Sequence, residues 1–255
     1  MKNILTSIML GTLLIGCSHQ SRSHRGIIIL PVSKVKWEKL NPARGDKSPQ
    51  AATLWGDRKG SLATAFLAKF VDGFSSPPHI HNVSYRAIVI EGLVHNDDPK
   101  AETMWMPQGS YWTQPAGEAH ITSAKGKTNI ALVEINSGPY LVKPTKQKFD
   151  NGERPYNIHA SNIIWSDEGD FKLVNLWKNK SGIVIGRLLK FQRSLKLKIE
   201  DSKLVLIKGE IKARDHLLEA GSLISVERKA NVEIACKTKE CVLYLKSDNN
   251  FQILQ

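Results

Sequence analysis

From about residue 30 onward the chain alternates short apolar runs with turns rich in Gly, Pro, Asn and Asp. The runs read "ATAFLAKF", "YRAIVIEGLV", "NIALVEI", "GIVIGRLLKF", "LVLIKGEI" and "CVLYL". Each has the length of a strand, and none grows into the 3.6-residue periodicity of a long amphipathic helix. The pattern predicts an all-β protein, built as a sandwich or barrel.

The runs also recur in order. "TLWGDRKGSLATAFLAKF", starting at Thr53, resembles "NLWKNKSGIVIGRLLKF", starting at Asn175. Further on, "AIVIEGLV" is echoed by "LVLIKGEI" and "MPQGSYW" by "LEAGSLI", at offsets of about 112 to 122 positions. Preserved order at a near-constant offset predicts two copies of one β unit. The polar, turn-rich segment "KPTKQKFDNGERPYNIHA" lies between the copies. A boundary is expected there, giving units 34–150 and 151–255.

Composition refines this picture only at two points. The apolar fraction of 41% over 255 residues suffices for a buried core. The net charge of +12 raises the question of an anionic partner. Its lysines and arginines are spread along the chain, with no arginine-rich helix and no nucleic-acid-binding motif, so no nucleic acid partner is expected. The basic surplus reads as a solvated surface.

The N-terminus carries a targeting pattern. "MKNILTSIMLGTLLIGC" has one lysine, an apolar run from Ile4 to Ile15, then Gly16-Cys17. The run is short for a membrane span and suits the apolar region of a secretion signal. "LIGC" resembles the lipobox of bacterial lipoproteins. That resemblance implies removal of residues 1–16, lipid on Cys17 as the sole membrane attachment, and a tether over 17–33. The expected location is the cell envelope, at the periplasmic face of the outer membrane, with secretion as the alternative. Cys236 and Cys241 flank a polar turn between apolar runs, so a hairpin would face them across it. A disulfide and two free thiols both stay open.

The candidate chemistry begins at "SSPPHIHNVSYRAIVIEG". Residues two apart in a strand share a face, so His79 and His81 can aim at one point. A third histidine follows in "GSYWTQPAGEAHITSAKG". The spacing G-x5-H-x-H from Gly73, followed by G-x5-P-x-G-x2-H from Gly109 through Pro115 and Gly117 to His120, resembles the cupin superfamily. The closing Asn of the second motif is Ala124 here. With the internal repeat, the whole resembles a tandem cupin, similar to a bacterial group of unknown function.

The resemblance implies two small antiparallel barrels and transfers His79, His81 and His120 as ligands of one divalent transition metal. Iron, zinc, nickel, manganese, copper and cobalt all remain open. The family's glutamate position falls on Tyr85 or Arg86, and neither is a carboxylate. His95 is the first choice for a fourth ligand, ahead of Glu91 and Glu118. Arg86 or Tyr85 is expected to orient a small, anionic or oxygenated substrate, although Arg86 could equally pair with Glu91, Asp97 or Asp98. Trp112 and Gln114 share a strand face and could border the ligand. Aligning the copies puts Lys196, Lys198 and Val232 opposite the three histidines, so the second barrel should be metal-free. Two functions follow: a dioxygenase-like metalloenzyme, or a lipoprotein that binds a metal or small ligand without catalysis. A homodimer is compatible with either.

Overall fold

The computed structural model describes residues 26–248 and 251–254. The expected signal segment, Cys17 and most of the expected tether lie outside the described residues. What is described is almost entirely strand and irregular loop, with four short 3-10 segments. Among these residues no helix is long and apolar enough to cross a membrane. The all-β expectation holds.

The first unit is built on a seven-stranded antiparallel sheet. Across the sheet run Tyr156–Ile158, Tyr111–Gln114, Tyr85–Asp97, Ile121–Ile135, Thr64–Phe70, Gln50–Trp55 and Glu38–Lys39. The two long strands, Tyr85–Asp97 and Ile121–Ile135, bend part-way and continue into the far wall of the barrel. Their pairing slips on either side of Glu91, next to Gly92 with φ 76°. A Cβ at Gly92 would collide with the Asn129 side chain and the Thr128 carbonyl, so the bend demands glycine. Gly209, its partner in the repeat, has φ 88°. A two-stranded ribbon pairs His79–His81 with Val142–Pro144.

The second unit repeats the plan, with a seven-stranded and a five-stranded sheet. Two pairings cross the expected domain division. Ile27–Leu30, expected in the tether, pairs antiparallel with Leu223–Val226 of the second barrel. Its apolar "IIIL" is the reason, since Ile27 and Ile29 pack on that barrel's core. Conversely Tyr156–Ile158, expected in the second unit, pairs with Tyr111–Gln114 of the first. Each barrel therefore borrows an edge strand, which shields an otherwise open sheet edge.

Strand alternation sorts the side chains into three layers. Along Tyr85–Asp97, Tyr85, Ala87 and Val89 enter the first barrel. Ile88 and Ile90 face the other way, into a shared core with Leu188, Val205, Ile207 and Val242 of the second unit. The two seven-stranded sheets thus pack back to back. Cys236 and Cys241 form a disulfide across their hairpin.

Candidate metal centre and its cavity

His79 and His120 face each other on adjoining chain segments. Their backbones exchange two hydrogen bonds, His79 N–H to the His120 carbonyl at 3.1 Å and His120 N–H to the His79 carbonyl at 3.0 Å. His81 lies two positions on, along the same ribbon strand. The potential ligand atoms of all three lie within 4.8 Å of one another. Among the described residues this is the one such group.

Each ring is oriented from behind by a backbone carbonyl. Nδ1 of His79 is 2.9 Å from the Pro77 carbonyl, that of His81 is 3.2 Å from Leu141's, and that of His120 is 3.3 Å from Glu118's. A carbonyl only accepts, so the proton belongs on Nδ1 and Nε2 keeps its lone pair. Burial then keeps the rings neutral. It lowers the His79 pKa, and it holds His81 well below the ordinary range, helped by the charges His120 and His79 would carry. His120 is brought down to about 3, chiefly by burial and secondarily by His79. Three neutral, pre-oriented imidazoles fit a divalent transition metal without any proton having to be removed.

Of the two candidates for the carboxylate's place, Tyr85 and not Arg86 faces the histidines. Its hydroxyl donates to Asn96 Oδ1 at 2.9 Å and lies 3.5 Å from His120 Nε2. Asn96 Oδ1 also accepts from Thr122 Oγ1 at 2.8 Å, while its amide donates to Gln114 Oε1 at 3.0 Å. Burial raises the Tyr85 pKa, so the group remains a protonated phenol. Tyr140 stacks on His81 at 4.4 Å between ring centroids, and its hydroxyl is 3.2 Å from His81 Nε2. A metal on that nitrogen must displace this hydrogen bond.

Several expected roles are corrected here. Arg86 alternates away from the barrel interior, and its guanidinium carbon lies 3.5 Å from the Trp177 ring centroid. It also donates to Asn136. The strand pleat is the cause: with Tyr85 inside, its neighbour must point to the other face. Arg86 therefore does not line the histidines' cavity, and it pairs with none of Glu91, Asp97 or Asp98. His95 is buried but stands outside the cluster, one position before the inward Asn96, with its ring against Trp105. Glu91 is exposed. Glu118 contributes its backbone carbonyl to His120 and no carboxylate to the cluster.

His79 and His81 line a cavity of about 330 Å³. Its walls are mainly apolar and aromatic, including Phe66, Phe70, Phe74, Trp112, Val133 and Tyr140. Exposed Leu40, Asn41 and Arg44 border it. Small residues create the space. Ala68 and Ala131 face each other across neighbouring strands, and Val89 is Ala131's partner on the next strand. The matching trio in the second barrel is Leu189, Leu243 and Leu206, paired in the same way. These three leucines pack into the second barrel's core.

The repeat alignment needs one correction of register. Lys196 and Lys198 point outward, while Leu195, Leu197 and Ile199 enter the second barrel. Val232 is part of that core. Sequence reasoning did not find Tyr140, Asn96, Thr122 or Arg44. Thr122 was signalled by its place two residues after His120, on the same face. The slips around Gly92 hid Asn96, and Tyr140 and Arg44 come from irregular segments without periodicity.

Comparison with known proteins agrees with this architecture. A family model described as a domain of unknown function, DUF4437, matches residues 29–254. No curated protein matches the chain. Among solved structures, a proposed dioxygenase from Nostoc punctiforme superposes with a TM-score of 0.71 at 14% identity, covering 91% of this chain and 88% of the other. The oxalate decarboxylase of Lactobacillus farciminis, in complex with formate, gives 0.56 at 11% identity, covering 90% and 88%. That of Bacillus subtilis at pH 4.6 gives 0.54 at 13% identity, covering 90% and 78%. The fold shared with them is the tandem cupin.

Proposed function

The chain belongs to the DUF4437 family, a domain of unknown function, and on that footing we propose that it is a metal-dependent oxidoreductase of the dioxygenase type. The observation that carries this reading is the trio of neutral imidazoles, each held by a carbonyl on Nδ1 with Nε2 unprotonated, at the edge of an apolar cavity. His79, His81 and His120 would hold one divalent transition metal, which supplies Lewis acidity and, for iron, redox chemistry toward dioxygen. The aromatic walls exclude water and hold a small substrate beside the metal. Tyr85 and Tyr140 remain protonated and offer hydrogen bonds to it. Among the described residues no carboxylate lines the cavity to act as a general base, which favours oxygen chemistry over proton abstraction. The proposed dioxygenase among the similar structures supports the same direction.

Protein purified without added metal should contain close to one transition-metal ion per chain by elemental analysis. His79→Ala and His120→Ala should each remove most of it. Two ions per chain would refute a metal-free second barrel, and retention by both variants would refute the site. Oxygen uptake by iron-loaded protein with a panel of carboxylates, diketones and thiols tests the activity. Tight binding without uptake would leave a non-catalytic ligand-binding protein.

We also propose that the protein is lipid-anchored in the bacterial envelope through Cys17. The Cys236–Cys241 disulfide supports an oxidising compartment. Cys17→Ser should release the protein from membranes or block its processing. An unchanged fractionation and migration would remove this reading.

A further inference from the structure

Among the described residues lining the cavity, Arg44 alone carries a permanent charge. The others are apolar groups, amides, hydroxyls and neutral imidazoles, with no carboxylate to pair with it. Arg44 comes from the 3-10 segment Pro42–Lys47, between the strands Glu38–Lys39 and Gln50–Trp55 and outside the cupin motifs. The segment is fixed locally. Arg44 N–H donates to the Asn41 carbonyl at 3.0 Å, Asn41 N–H to the hydroxyl of buried Ser48 at 3.0 Å, and Leu40 N–H to the Pro49 carbonyl at 2.8 Å. The guanidinium carbon sits 5.2 Å from the Phe74 ring centroid, which keeps it over the cavity border.

We propose that Arg44 is a specificity residue, and that the ligand is an amphiphilic monocarboxylate whose apolar body fills the cavity while its carboxylate meets Arg44. The idea rests on the cavity being the ligand site, as inferred above. Size and lining both point there. A cavity of about 330 Å³ corresponds to roughly eleven liquid-water volumes, or a phenyl ring with a short side chain. Its aromatic walls gain by burying such a ring and offer a small dianion such as oxalate nothing. The planar guanidinium matches a carboxylate through two parallel hydrogen bonds, which an amide or alcohol cannot reproduce. Because Arg44 borders solvent, the preference should be moderate and should fade with salt.

Titration calorimetry on metal-loaded and metal-free protein tests this with 3-phenylpropionate, 3-phenylpropanamide and oxalate, with metal content measured on the same samples. The expected result is 3-phenylpropionate binding about 5- to 30-fold more tightly than the amide, with oxalate weakest in the metal-free protein, where it has no ion to chelate. Arg44→Ala should abolish the difference by weakening the carboxylate alone, and Arg44→Lys should restore part of it. Equal binding of acid and amide, a difference that survives Arg44→Ala, no binding of either, or tighter binding of oxalate to the metal-free protein would each overturn the proposal. A protein that takes up no metal yet keeps the Arg44-dependent preference would sustain it while refuting the metal reading.

Discussion

Lowering the pH from 7.5 to 5.5 weakens metal binding to the folded protein by no more than a few-fold. Three ordinary imidazoles, each with a pKa near 6.5, would lose about tenfold apiece over that interval, or about 10³ together. Here the competing proton is kept away by burial, since His120 titrates at about 3 and His81 also lies well below 6.5. His79 is half-buried and only lowered, so it supplies what little pH dependence remains. Competition titrations against a chelator of known pH dependence would measure the effect. A drop approaching 10³ would mean that the histidines are solvated and the interior is wet.

The same shifts have an opposite consequence for the metal-free fold. The folded pKa values lie below those of the unfolded chain, so the unfolded state takes up protons first as the pH falls. The stability tied to these residues is complete above pH 6.5 and drains away as the pH drops toward about 3. At pH 5 the share from His120 alone is about 2 kcal/mol. Acid should therefore destabilise the metal-free protein well before it weakens the affinity of molecules that remain folded.

The sequence made the histidines legible because their spacing follows a strand face, which period-two alternation resolves without any structure. Two copies of one unit were equally legible, since Gly92 and Gly209 mark the same bend. Alternation failed where pairing slips. Past Gly92 the count no longer tells inside from outside, so His95 stood first for a fourth ligand and Asn96 went unnoticed. It also left Tyr85 and Arg86 undecided, because adjacent residues face opposite ways and the family spacing allows either. The crossing of Ile27–Leu30 and Tyr156–Ile158 depends on pairing between residues far apart in sequence. Local pattern carries no record of it. Arg44 and Tyr140 reach the cavity from loops, whose course follows from tertiary contacts.

Ala131→Leu tests the cavity itself through the sign of a stability change. Ala131 is fully buried, lines the cavity, and faces Ala68. In the second barrel the equivalent pair is Leu189 and Leu243. The fold therefore already accommodates leucine at this station when the interior is full. If the space around Ala131 is open, three added carbons bury apolar surface without displacing neighbours. The metal-free protein should then gain about 2 kcal/mol, or about 4–8 °C in Tm. If the barrel is instead collapsed around Ala131, the larger side chain overpacks it and costs about 1–3 kcal/mol. Metal content should stay at one ion per chain, because the ligands lie on other segments. Binding of 3-phenylpropionate should be lost, since the leucine occupies the room its ring needs. A stabilised variant that keeps its metal but binds no ligand would separate the two tasks of the barrel. The histidines would hold the ion, and alanines in place of leucines would hold the space beside it.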